Sequence, residues 1–169
     1  MKIRLALPLL ITGLLLSACT TPVDNGVTAA DITVEFQNPD KFQDARDSFG
    51  GSTDQSALDT LRAAVKDSAR PHLKAGQKLQ VTFTDIDLAG EFEPQAGPSA
   101  GHVRFIKAIY TPRLTLTFEL TDAAGAMLRQ GQRTLTDMNF QANSLRIGSD
   151  QPFFYDKVLV QDWVHAEFR

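Results

Sequence analysis

Cysteine is nearly absent from this 169-residue chain, which has a single one, Cys19. Without a second thiol there is no intramolecular disulfide and no Cys-based metal site to look for. Histidine is also scarce. His72, His102 and His165 stand singly, and none has the i, i+4 partner that would place two imidazoles on one helix face. Positive charge is not in excess, since 17 Lys and Arg face 20 Asp and Glu, a net charge of −3. A duplex or an anionic surface would repel such a chain on average, and Arg104, Arg129 and Arg133 are scattered along strand-like segments where solvated faces are expected. No nucleic-acid partner is therefore expected. The Walker, Rossmann and HExxH patterns are missing too, so no cofactor is expected.

A membrane span is likewise lacking, because the longest apolar run, residues 5–16, is about twelve residues against the roughly twenty that a spanning helix needs. Thr12, Pro8 and Gly13 weaken it further. What is present is a secretion signal. Lys2 and Arg4 form its basic start, the run at 5–16 its apolar part, and small residues precede the expected cut. Leu16-Ser17-Ala18-Cys19 has the form of a lipobox, with an aliphatic residue and two small ones before the cysteine that receives lipid. Residues 1–18 are thus expected to be a signal peptide cleaved after Ala18, and Cys19 the lipid-bearing N-terminus. Several acyl chains make a durable anchor where one chain holds only marginally. Thr20, rather than Asp, favours the outer membrane over the inner one.

Loss of Lys2 and Arg4 with the leader lowers the basic count to 15 against 20 acids, a net charge near −5. Residues 19–30 read as the lipidated cysteine and a flexible tether that holds the domain roughly 20 Å from its lipid on average. Residues 31–169 have the length of one domain, and eleven Phe with Trp163 and two Tyr suit its core.

Along that domain, Ile32, Val34 and Phe36 alternate with polar residues as in a half-buried strand. Phe42 and Phe49 anchor the loop that follows. A helix is expected after Ser52 or Thr53, with Ser52 and Gln55 at capping-box spacing and Asp54 near the positive end. Its apolar face is Leu58, Leu61, Ala64, Val65 and Ala69, and Pro71 stops it. In residues 78–88 the apolar parity switches between Phe83 and Ile86, which implies a bulge near Thr84 and Asp85. Residues 93–101 read as an exposed loop, and strands are expected at 103–109, 113–121 and 126–136, the last two joined by a turn at 122–125. Tyr155, Leu159 and Trp163 with Val160, Val164 and Phe168 make a broad apolar face, hence a buried final helix. The order β-α-β-β-β-β-α describes a single α+β domain, a mostly antiparallel sheet covered by two helices on one face.

Four groups of residues carry a family resemblance: the segment from Val34 to Arg46, the segment from Thr84 to Glu91, Val103-Arg104 with Pro112-Arg113, and Tyr155-Asp156-Lys157 with Asp162-Trp163. Together they resemble a bacterial lipoprotein family known as domain of unknown function 3016. The likeness spans nearly the whole domain and implies a lipidated envelope protein. It implies no activity, cofactor or catalytic residue.

The main chemical candidates are the carboxylates Asp85, Asp87 and Glu91, followed by Glu93. Alternate Asp85 and Asp87 share a face of an extended chain, and oxygen donors suit Ca²⁺ or Mg²⁺. The other reading is of strand-end carboxylates that accept backbone N–H bonds or pair with Arg104 or Arg113. Gly97-Pro98-Ser99-Ala100-Gly101 matches the nucleophile-elbow pattern in letters, but lacks a strand running in and a helix leaving. Asp162 and His165 are spaced for a helix-surface hydrogen bond. Trp163 and Tyr155 read as core aromatics, with a pocket lining as the alternative. The leading functional expectation is a non-enzymatic binding or assembly module on the envelope, contacting another envelope protein or a periplasmic ligand. The alternatives are a periplasmic enzyme or divalent-metal module centred on Asp85, Asp87 and Glu91, and an assembly component whose sheet edge at 126–136 pairs with another chain.

Overall fold

The computed structural model describes residues 29–47, 52–97, 100–142 and 151–169. The signal sequence, Cys19, most of the tether, Phe49, Pro98 and Ser99 lie outside the described residues. Eight elements follow one another: β1 (Asp31–Phe36), α1 (Gln55–Ala69), β2 (Lys78–Asp87), β3 (Glu91–Phe92), β4 (Arg104–Phe105), β5 (Arg113–Thr121), β6 (Met127–Thr136) and α2 (Phe154–Phe168). The fold is α+β, with a four-stranded sheet in the order β1-β2-β5-β6 and a separate two-stranded ribbon, β3-β4.

Among the described strands only β1 and β2 run parallel, and they can because α1 carries the chain back between them. The pairs β2-β5 and β5-β6 are antiparallel. Alternation along these strands turns Ile32, Val34, Leu79, Val81, Phe83, Leu114, Leu116, Phe118 and Leu120 to one face, where Leu58, Leu61, Val65, Leu159, Val160, Trp163 and Val164 of the helices complete the core. The expected bulge is present. Register shifts between Phe83 and Asp85, and the extra residue, Thr84, lets Ile86 rejoin the inward set.

The two helices run side by side in the same direction. Phe153 and Lys157 share a groove with Ser56 and Thr60 at one end, and the rings of His72 and His165 meet edge to face at 5.4 Å at the other. The turn at 122–125 is built as expected, with Asp122 Oδ1 accepting from the N–H groups of Ala124 and Ala126, both at 2.9 Å, and Gly125 at φ 86°.

Three local expectations are corrected. The cap of α1 is Asp54 rather than Ser52 or Thr53, and its Oδ1 accepts from Ser56 N at 2.9 Å and Ala57 N at 3.2 Å. Residues 103–109 are not one strand. Only Arg104 and Phe105 pair, with Phe92 and Glu91, because Tyr110 N turns back to Lys107 O at 2.9 Å and closes a turn where a ladder would continue. The loop at 93–101 is not wholly exposed, since Glu93 is buried and short 3-10 turns occupy Pro94–Ala96 and Ala100–His102.

Candidate functional site

Past the bulge, β2 ends in Leu88-Ala89-Gly90, and three other segments gather around it. The first is the stretch near Asp44, whose N–H donates to Ile86 O at 2.9 Å and whose carbonyl accepts from Leu88 N at 3.1 Å. The second is the β3-β4 ribbon, and the third is the first turn of α2. Between them opens a cleft of about 440 Å³, lined by Ala89, Phe92, Arg104 and Ile106 on one side and by Phe153, Phe154, Tyr155 and Asp156 on the other.

Arg104 ties these segments together. Its Nη1 donates to Asp44 Oδ2 at 2.5 Å and to Gly90 O at 2.9 Å, while Nη2 donates to Asp44 Oδ1 at 3.2 Å. The same guanidinium lies 4.5 Å over the Phe92 ring. Gly90 has to be glycine here: its φ is 85°, and a Cβ would stand 2.8 Å from Phe105 O. Opposite Arg104, Asp156 is only 1% exposed, and its Oδ1 accepts from Ala89 N at 2.9 Å. Burial pushes this carboxyl up to about 7; the hydrogen bond from Ala89 and the charge of Arg104 oppose that rise without cancelling it.

The acidic segment does not converge. Asp85 Oδ1 accepts from Gln43 N at 2.9 Å, Asp87 sits opposite Arg113 in the β2-β5 register, and Glu91 Oε1 accepts from Phe92 N at 3.0 Å. The backbone-accepting reading of these carboxylates therefore describes Asp85 and Glu91. Desolvation, with Asp44 adding to it, raises the Asp87 carboxyl above its ordinary range although Arg113 opposes. Among the described residues no group of three or more His, Cys, Asp or Glu is placed to hold a metal ion. A second cleft, about 410 Å³, is lined by Asp87, Glu91, Tyr110 and Arg113, with Ile109 and Met138 exposed at its rim. Nearby, Glu93 accepts from Lys107 Nζ at 2.6 Å and from Tyr110 Oη at 2.7 Å. These bonds hold the Glu93 carboxyl below its ordinary range and raise the Tyr110 phenol.

The other candidates fall as follows. After the elbow-like pattern the chain makes a single 3-10 turn, Ala100–His102, and enters β4, so no α-helix leaves it. Trp163 is core, edge to face with Phe118 at 5.8 Å and with Phe168 at 5.8 Å, and its Nε1 has no hydrogen-bond partner among the described residues. Tyr155 follows the alternative: it is half-buried and lines the cleft, with its ring 4.9 Å from Phe140 rather than in the main core. Arg104 pairs with Asp44 rather than with Asp85 or Asp87. Sequence reasoning passes over Asp44 and Asp156. The available signal for Asp156 is a carboxylate between Tyr155 and Leu159, inside a run that is otherwise mostly apolar.

The sheet, the helix pair and the ion-paired aromatic cleft define an α+β module. More particularly, the family DUF3016, described as "Protein of unknown function", matches residues 30–166, and the chain belongs to that family. No curated protein matches it. Among solved structures, the chain is similar to a dodecameric PelC from Paraburkholderia phytofirmans at 12% identity, with 81% of this chain and 82% of that one covered and a TM-score of 0.40. Among the described residues, no helix is long and apolar enough to cross a membrane.

Proposed function

We propose that the chain is a lipid-anchored protein of the bacterial cell envelope, facing the periplasm and held on the outer membrane, whose domain binds a ligand or partner segment in the Arg104–Asp156 cleft without catalysing a reaction. The Leu16-Ser17-Ala18-Cys19 sequence supports the anchor, and Thr20 supports the choice of membrane. The observation that carries the binding role is how the charged groups of the cleft are used. Arg104 directs three of its five N–H donors to Asp44 and Gly90, Asp47 accepts from Ser52 Oγ, Asp54 caps α1, and Asp156 receives Ala89. What the cleft offers an occupant is then mainly apolar and aromatic surface from Ile106, Phe153, Phe154 and Tyr155, the composition typical of ligand sites.

A photo-crosslinking residue at position 154, in cells, tests this. The expected result is a discrete adduct that is lost when Gln151 or Tyr155 is replaced by a bulky residue that fills the cleft. Crosslinking no greater than at an exposed control such as Gln80 rejects the cleft as a binding site. The anchor is tested separately by mass spectrometry of the mature N-terminus, where acylated Cys19 is expected and an unmodified N-terminus rejects it.

A further inference from the structure

The two ends of the domain differ in charge, and the tether joins at only one of them. Asp31 opens β1 and pairs with Lys78, and its N–H donates to Gln77 O at 2.9 Å. At this end the chain just past α1, the loop before β2, the β5-β6 turn and the end of α2 come together. His72, Lys74, Gln77, Leu128, Arg129 and Arg169 surround one shallow depression. Arg70, Lys74, Lys78 and Arg169 are exposed here, with Arg129 half-exposed. Of the acidic residues alongside them, Glu167 is held by Arg133 and Arg129, Asp122 accepts from the turn N–H groups, and Asp31 stands beside Lys78 in the β1-β2 register, so Arg70, Lys74, Lys78 and Arg169 leave this end with an excess of exposed positive charge. Met127 and Leu128 stand exposed on the same rim, at 47% and 50%. The opposite end carries Asp44, Asp85, Asp87 and Glu91 around the two clefts.

We infer that the tether end, with Arg70, Lys74 and Lys78 exposed beside Leu128, lies against the anionic phospholipid surface that holds Cys19, and so turns the Arg104 cleft away from the membrane. The inference rests on the lipid-anchor reading. Two observations select a lipid surface over other occupants. The first is chain length. Only eleven residues lie between Cys19 and Asp31, a length that as a coil would span roughly 20 Å on average, so an anchored domain would meet the surface at high effective concentration and a weak attraction would suffice. The second is charge. Basic side chains within a Debye length of anionic headgroups are attracted while the acidic end is repelled, so the acidic net charge orients the domain without preventing contact. Lys and Arg stems beside Leu128 and Met127 suit the boundary between headgroups and acyl chains.

The test uses the lipidated full-length protein in phosphatidylcholine vesicles with and without phosphatidylglycerol. Acylation leaves no native thiol, so Leu128→Cys or Ile109→Cys accepts a single fluorophore, and nitroxide-labelled lipid quenches whichever lies near the bilayer. With phosphatidylglycerol, quenching at position 128 is expected to exceed that at 109 several-fold. The difference should vanish at high salt and in Lys74→Glu/Lys78→Glu. Equal quenching at the two positions in anchored protein, or stronger quenching at 109, overturns the orientation alone. Protein that fails to float with either vesicle and lacks acylated Cys19 overturns the anchor, and the orientation with it.

Discussion

At the cleft end of the sheet, Arg104 and Asp44 are drawn inward and fixed, whereas at the tether end Lys74 and Lys78 stand in water. Arg104 and Asp44 retain only 13% and 14% side-chain exposure and hold neighbouring chain segments together, while Lys74 and Lys78 are exposed. Charged side chains therefore do different physical work at the two ends. A shielded pair contributes through geometry and is costly to break singly, because its partner is left charged with little water around it. An exposed cation contributes almost nothing to folding and is available for long-range attraction.

The largest effect is expected from Arg104→Ala. It strands Asp44, frees Gly90 O and uncovers Phe92, and a loss of about 4 kcal/mol is expected, read as a lower midpoint in urea. A loss under about 1 kcal/mol would place Arg104 among the surface charges and dissolve the contrast.

Asp156 supplies the next largest effect, and it depends on pH. Its carboxyl titrates at about 7 in the folded protein against an ordinary 3.8 when unfolded, so between those values the folded state holds the extra proton. Its contribution is therefore fully present below about pH 4, falls as pH rises towards about 7, and levels off above it. The total change is on the order of 4 kcal/mol. Asp156→Asn keeps an acceptor for Ala89 N and should flatten this decline, leaving the variant more stable than the parent at about pH 8. Parallel pH profiles for the two proteins in chemical denaturation would refute the assignment.

A smaller effect is expected at the α1 cap, where Asp54→Ala removes the two backbone acceptances from Ser56 and Ala57. The cost is about 1 kcal/mol in thermal or urea melts. Smallest of all is Lys74→Glu/Lys78→Glu at the tether end, with a change under about 1 kcal/mol although two charges are reversed. A large destabilisation there would show that the basic end is structural after all.

Periodicity makes much of the fold readable. The α1 face, the clean alternation of β5 and the parity switch at Thr84 each follow from local geometry, and each is found where expected. Residues 103–109 mislead because a string of β-branched and aromatic residues has strand propensity whether or not a neighbour is available to pair, and here only Glu91 and Phe92 are. On β6, inward-facing positions hold Arg129, Gly131 and Arg133. Arg133 lies over Phe118 and donates to Glu167, so the pattern looks solvated although part of that face covers the core. The cleft is the least readable part. Asp44, Arg104 and Asp156 come from three distant stretches, and no spacing rule joins them.

Legible along the chain are the expected anchor at Cys19, the lack of a second thiol, the acidic charge, and the elements whose apolar period is sustained. These depend on neighbours a few residues away or on sums over the whole chain. Only the tertiary structure decided that Arg104 would find Asp44, that burial would lift Asp156 towards neutrality, and that the basic residues would collect at the end where β1 begins. Ion pairing, desolvation and surface charge pattern depend on distances through space, and folding sets those distances.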